Sequence, residues 1–290
     1  PPERSQVETV CRLLRGHPLR IIQTIAPLGA NPGTGSRDQT PLGFDHLIEQ
    51  LQSGMASETI TIQAATTLPE ADRRVLAVLA VFGSVPLAIA HIQALTAISD
   101  MQLASQTLLH RGLIWTDGSR YGLASNLLQP FQQIWDLAPW IDRSLVYFTH
   151  WARQQGESIT LLLENADLLG HLLTLAADQG RWVEVLRLCQ LLDRPLMVGK
   201  RWDQWQQVWE LGLMAARSLG DGAAESYALH QLGTRALCLR NALMAHTYLT
   251  EAVQLRTALR HSVGAAVSYH NLNLLLPPPP LPQPPPTIAP

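Results

Sequence analysis

The sequence predicts an all-α-dominated chain: a small helical domain, then three helices closed by a short β-hairpin, then an α-solenoid of helical hairpins. Three observations predict it. Residues 224–236 recur forty residues later at 264–276, with His230-Gln231-Leu232 answering His270-Asn271-Leu272 and Leu219 answering Leu259. From Phe131 to Leu276 only helical periods appear, with no strand signal. Two short apolar runs, Gly112-Leu113-Ile114-Trp115 and Arg120-Tyr121-Gly122-Leu123, flank Thr116-Asp117-Gly118-Ser119, a turn containing Asp-Gly that reads as a hairpin. A fixed forty-residue period marks stacked helical units, each burying its apolar face only against its neighbours. Such arrays bind other proteins or shape a larger molecule, and seldom do chemistry.

The elements follow in order. Val10, Leu13, Leu14, Leu19, Ile22 and Ile25 carry helical spacing over 6–26, broken by Gly16-His17-Pro18. Ala26 to Gly43 is a loop by composition, and Phe44, Leu47, Ile48 and Leu51 share one face of a short helix. Thr67-Leu68-Pro69-Glu70 predicts the next start, with threonine as N-cap, proline near the first turn and acids at the positive end of the dipole. Val75, Leu76, Leu79 and Val81-Phe82 form its face, and Gly83 stops it. Two more helices are expected at roughly 86–95 and 100–111. Three helices and a hairpin make a winged helix.

The array is expected as helices 141–155, 158–178, 181–192, 201–219, 222–239, 242–260 and 263–276, with turns at Gly156, Gly180, Gly199 and Gly220-Asp221-Gly222. Small Gly233, Ala245 and Ala252 alternate with large Leu232, Leu249 and Leu255, as in the close helix pair of a tetratricopeptide hairpin. Trp202, Trp205 and Trp209 fall on one helical face and read as core. The resulting domains are 1–65, small helical; 66–138, winged helix; 139–276, tetratricopeptide-like repeats; and 277–290, a proline-rich tail, extended or disordered.

Composition excludes several classes. Net charge is −2, which supplies no global pull toward nucleic acid or an anionic membrane. Lys200 is the only lysine; Arg201 follows it, and Arg194 stands where a Walker A loop needs its first glycine. The chain therefore carries no P-loop. Gly33-Thr34-Gly35 lacks the third glycine and the strand–helix context of a phosphate loop. Cys11, Cys189 and Cys238 form no C-x-x-C pair and sit in apolar helical patterns, so buried thiols in a reducing cytosol are expected. No apolar run reaches about 18 residues, which argues against a membrane span.

None of the ten histidines forms His-Glu-x-x-His, so no metal site is expected. No catalytic constellation assembles from the sequence. His230 and His270 fall on the first helix of successive units with Tyr227 and Thr234 nearby, facing the concave groove. They read either as contacts for a protein or peptide partner or as packing within the repeat. A second functional reading is DNA recognition, with helix 100–111 presenting Gln102, Gln106, His110 and Arg111 and the wing presenting Arg120. The last helix needs a partner near 281–299, where prolines forbid one. Self-association through this open edge, cover by a partner, or a folded-back tail is therefore expected.

In this order the elements resemble the downstream half of the STAND class of signalling ATPases, NB-ARC-like bacterial regulators with tetratricopeptide tails. Gly16-His17-Pro18-Leu19 is similar to the Gly-x-Pro-Leu turn of their small helical domain. Leu68-Pro69-Glu70-Ala71 through Val81-Phe82-Gly83 looks like the first winged-helix segment, Arg120-Tyr121-Gly122-Leu123 like the Arg-Tyr-x-Leu wing, and Leu162 to Asp167 like the acidic segment before the repeats. The resemblance implies a non-catalytic regulatory and protein-interaction segment, cytoplasmic, whose repeats sense a partner. The winged helix would relay to a nucleotide-binding module absent from this chain. It also implies that Gly16 and Pro18 lie against ATP or ADP, though only beside an upstream ATPase core; this chain itself takes no cofactor. The family places a phosphate-sensing histidine after the wing strand. Here Ala124 stands there and can neither donate a hydrogen bond nor carry charge.

Overall fold

The structure, a computed structural model, describes residues 4–25, 43–99, 101–156 and 158–275. The expectations for residues 26–42, including Gly33-Thr34-Gly35, for Leu276 and for the tail 277–290 lie outside these. The described residues form helices and one small sheet. Tertiary contacts divide the chain into two compact units, 1–150 and 151–290.

The first unit opens with α1 (Arg4–Leu13), α2 (Pro18–Ile25), α3 (Phe44–Gln52) and α4 (Ser57–Thr66). Val10, Leu14, Leu47 and Ile60 form their core. Helix α4 was not expected from the sequence. Its apolar and small residues are buried on nearly all sides, so no amphipathic stripe marks it. Thr67 does not cap the following helix: it closes α4, its hydroxyl donating to the Ala64 carbonyl at 2.8 Å. The next helix, α5 (Glu70–Phe82), starts from Pro69 instead.

Helix α5 is the unit's axis. Every residue from Val75 to Phe82 is buried, so neighbours must surround it. Those neighbours include α6 (Ile89–Thr96), α7 (Met101–His110), α8 (Leu128–Ile134) and a three-stranded sheet. Strands β2 (Ile114–Thr116) and β3 (Arg120–Leu123) pair antiparallel as the hairpin predicts, Trp115 opposite Gly122. A two-residue strand, β1 (Leu87–Ala88), adds to the other side of β3, too short to leave a period-two pattern. Asp117 holds the turn by accepting from the Ser119 and Arg120 N–H groups, each at 2.8 Å. Helix α9 (Ala138–Gln154) runs across the boundary between units.

The second unit continues with α10 (Ile159–Glu164) and α11 (Ala166–Asp178), one expected helix interrupted at Asn165. Then follow α12 (Trp182–Val198), α13 (Trp202–Leu219), α14 (Gly222–Cys238), α15 (Ala242–Ala258) and α16 (Ser262–Asn273). Helix α12 continues through Pro195 to Val198, past its expected end at 192.

One joint repeats through this unit. Gly180, Lys200, Gly220, Arg240 and Arg260 all adopt left-handed backbone angles, with φ of 67°, 54°, 66°, 58° and 56°. They lie twenty residues apart. After each, the next N–H (Arg181, Arg201, Asp221, Asn241, His261) returns to the carbonyl five residues back, every time at 2.9 Å. This is the Schellman closure of a helix C-terminus. The same five residues offer their own carbonyls to the first turn of the following helix, at 2.9–3.0 Å. The forty-residue recurrence is thus two twenty-residue modules. Gly199, expected as a turn glycine, is not the left-handed residue; a Cβ there would meet Leu163 at 2.6 Å, so it serves close approach.

Gly233 serves close approach too. A Cβ on it would lie 2.7 Å from Leu249 Cγ, with Ala245, Leu249 and Ala252 fully buried beside it. These two demands separate by substitution. A Cβ at Gly220 meets nothing, so Gly220→Ala isolates the backbone term, and a loss of about 1 kcal/mol is expected. Gly233→Ala has ordinary backbone angles and loses through overpacking, by about 1–3 kcal/mol. Urea unfolding of both variants checks this; a Gly220→Ala chain as stable as the parent refutes the backbone account.

Candidate partner-binding face of the helical array

Helices α14 and α16 carry the residues expected to meet a partner, and α12 is tied to them. Side chains join them in sequence. Asp193 on α12 accepts four hydrogen bonds: Oδ1 from Trp205 Nε1 at 2.8 Å and Trp209 Nε1 at 2.7 Å, Oδ2 from the Tyr227 hydroxyl and Gln231 Nε2, both at 2.8 Å. A carboxylate offers about four acceptor sites, and here neutral donors from α13 and α14 fill them. Bonds to a charged acceptor are the stronger kind, about 1.5–3 kcal/mol each. Trp205 and Trp209 are buried as the core reading expects, while Trp202 is half-buried with its ring tilted against Trp205 at 5.9 Å.

From α14 the ties pass to α16. His230 Nδ1 lies 3.0 Å from Ser268 Oγ, and Asn271 Nδ2 donates to Thr234 Oγ1 at 3.0 Å. Arg256 on α15 closes the group, donating from Nη1 to Ser268 Oγ at 2.6 Å and to the Gly264 carbonyl at 2.8 Å. It is only 4% exposed, has no carboxylate partner among the described residues, and its Nε is buried without an acceptor. Burial lowers its pKa. Burial, aided by Arg256, also depresses His230 to about 4, so its imidazole is neutral. Tyr227 is pushed up to about 12 by burial and then by the Asp193 charge.

The four expected residues are therefore placed as follows. Tyr227, His230 and Thr234 sit together on α14, their polar atoms engaged with α12 or α16. The Tyr227 side chain still leaves 39% of its area exposed. His270 lies one helix away on α16 and is exposed, with Val267 and Tyr269 exposed beside it. A groove of about 240 Å³ runs elsewhere in the unit between α11 and α13, lined by Asp167, His171, Thr174, Gln204 and Gln207. Gly16 and Pro18, expected near a nucleotide only beside an upstream core, form an exposed turn between α1 and α2, with Gly16 left-handed at φ 68°.

Asp193, Ser268 and Arg256 carry no functional mark in the sequence. Gln231 and Asn271 were legible as repeat partners. Asp193 and Arg256 were not, because forty residues away stand Gly233 and Ala216. Among the described residues no group of three or more His, Cys, Asp or Glu side chains is arranged to hold a metal, and no helix is long and apolar enough to cross a membrane.

No protein-family profile matches the sequence, and no curated protein is significantly similar to it. A solved structure from Pyrococcus horikoshii is similar: a signal transduction ATPase with numerous domains, a STAND protein with a tetratricopeptide repeat sensor. The identity is 14% and the TM-score 0.33, over 92% of this chain and 53% of that one. The chain spans about half the length of that protein. A likeness of this extent carries no argument about function.

The neutral His230 ties stability to pH. His91 in the first unit, buried beside Tyr147 at 3.0 Å, is likewise depressed to about 4 by burial. For both, the folded pKa lies below the unfolded value, so the unfolded chain takes up the proton first. Their contribution is complete above pH 6.5 and is lost as pH falls toward 4. Urea midpoints should drop across that window, and His230→Gln should remove roughly half of the slope between pH 6.5 and 5. An unchanged slope would show that His230 is protonated freely in the native state.

Proposed function

We propose that this chain is a non-catalytic regulatory and protein-interaction segment of a STAND-type signalling protein, working in the cytoplasm. The helices from α10 to α16 form a tetratricopeptide-like array that senses a protein or peptide. The elements from α5 to β3 form a winged helix that relays its state to a nucleotide-binding module outside this chain. The observation that carries the reading is the row of cross-helix ties through Asp193, Tyr227, His230, Thr234 and Asn271. It fixes α12, α14 and α16 side by side while the Tyr227 ring and His270 remain accessible. Preorganised aromatic and imidazole groups on a rigid face suit recognition without a large ordering cost.

DNA recognition is the weaker alternative. Helix α7 exposes Gln102, Gln106 and His110, but Arg111 lines a small pocket with Gln23 and Leu113 and acts on the buried Asp72. That leaves the helix with little of the basic footprint such binding needs.

Selection of a displayed peptide library on the full chain tests the sensing role. Binders should emerge whose affinity falls about tenfold or more in Tyr227→Ala or His270→Ala, as for centrally placed anchors. A library whose every binder ignores both substitutions would place recognition elsewhere.

The chain alone should bind neither ATP nor ADP, since the lysine and backbone cradle that hold phosphates are missing. Calorimetric titration decides it: a micromolar dissociation constant for either nucleotide rejects this part of the proposal.

A further inference from the structure

A second surface lies wholly within the first unit. An open groove of about 400 Å³ is bounded by the N-terminal half of α5, with Glu70, Arg73 and Arg74, by Trp135 and Asp136 of the α8–α9 connection, and by Trp140 in the first turn of α9. Both indoles are held. Trp135 ends α8 with an extended backbone, its N–H returned to the Phe131 carbonyl and its ring set edge-on to Phe131 at 4.7 Å. Trp140 lies under the Arg143 guanidinium at 5.2 Å, and Arg143 is itself anchored to the Leu95 carbonyl at 2.9 Å.

The polar groups divide unevenly. Each carboxylate has a partner but keeps exposed lone pairs for water: Glu70 pairs with Arg74, and Asp136 Oδ1 accepts the Ala138 N–H at 3.1 Å at the start of α9. Unused donors lie beside the two indoles. The indole N–H groups of Trp135 and Trp140 have no acceptor among the described residues, and Arg73 is exposed without an ion-pair partner. Tryptophan and arginine can only donate, never accept. Among the lining residues Arg73 and Arg74 balance Glu70 and Asp136, and Arg143 adds one cation over Trp140, so a polyphosphate ligand finds only a weak positive field and a cationic one meets Arg73.

A neutral, apolar ligand rich in acceptors matches two indoles with free N–H groups beside an unpaired guanidinium. Polyproline is that ligand: each proline presents a carbonyl but no N–H, and its rings pack on aromatic faces in a preformed extended helix. We propose that the Trp135–Trp140 groove binds a proline-rich segment in the polyproline II conformation. The indole N–H groups and Arg73 donate to its carbonyls while the indole faces take its rings. The sequence itself contains a stretch of this composition, Pro277-Pro278-Pro279-Pro280-Leu281-Pro282-Gln283-Pro284-Pro285-Pro286, which supplies a natural probe.

The experiment titrates a dye-labelled peptide of residues 277–290 with the full chain and reads fluorescence anisotropy. The same titration is run on a full chain carrying Pro284→Gly, Pro285→Gly and Pro286→Gly, in which the chain's own prolines compete less. Saturable binding to at least one of the two is expected. It should weaken about tenfold in Trp140→Ala, which removes an aromatic wall, and by less in Trp140→Phe, which keeps the wall and deletes the donor. Arg73→Ala, at an exposed site, should weaken binding without changing the circular dichroism spectrum. A peptide with every proline replaced by alanine should not bind. The proposal is overturned by no binding to either chain, by equal binding of the alanine peptide, or by indifference to both Trp140→Phe and Arg73→Ala. Tighter binding of a single-stranded oligonucleotide, competing with the peptide, also overturns it.

Discussion

The second unit depends on one backbone joint, the left-handed residue that closes each helix. A helix leaves four carbonyls unpaired at its C-terminus, and a chain that must reverse direction within three residues has little room to satisfy them. The Schellman closure solves both problems, returning two N–H groups to those carbonyls while turning the chain. Used at 180, 200, 220, 240 and 260, it sets helix length, fixes the pitch and makes neighbours antiparallel. Three of the five positions are not glycine. Lys200, Arg240 and Arg260 accept a backbone cost of about 1–2 kcal/mol. Each places a cation at the negative end of a helix dipole, which offsets about 0.3–1 kcal/mol of it.

Regular joints set where each helix stops and the chain turns; they do not say how tightly adjacent modules hold. That comes from side chains at positions where the repeat is broken. Asp193 has Gly233 as its counterpart, and at that counterpart the missing side chain lets α14 close on Leu249. One repeat position thus serves a polar clamp in one module and a bare contact in the next. Arg256 has the buried Ala216 as its counterpart and brings a guanidinium to the junction of α14 and α16. Removing one member of such a group leaves its partners buried and unpaired, a larger loss than any single bond.

How much was legible in the sequence follows from these facts. Helices with a one-sided apolar face, such as α13 and α14, were visible in their spacing, and the hairpin was visible in its Asp-Gly turn. Helix α4 was invisible because it is buried on nearly every side, and β1 because two residues carry no period. Thr67 misled because a threonine before proline and acids suits an N-cap, whereas its hydroxyl is spent closing the preceding helix. The twenty-residue joint escaped notice because arginine and lysine at φ near 55° leave no mark that glycine would. On the expected face, repetition drew attention to His230 and His270. The residues that tie the face together lie where repetition fails.

That contrast gives the array a gradient along its length. Asp193 clamps α12, α13 and α14 through four donors, so the middle of the unit is over-determined. Toward α16 the ties run through Ser268, Asn271 and Arg256 instead of one shared carboxylate, and Arg256 keeps a buried N–H without an acceptor. In a stack where each module contacts mainly its neighbours, local stability is set by local ties, so α16 opens more readily than α12–α14. Val263, Tyr269 and Leu274 add to this by exposing apolar area that no described neighbour covers. A ligand that ordered α16 against His230 and Thr234 would extend the clamped region by one helix, and the clamp would carry that ordering inward. Rigidity in the middle is thus a consequence of where Asp193 interrupts the repeat.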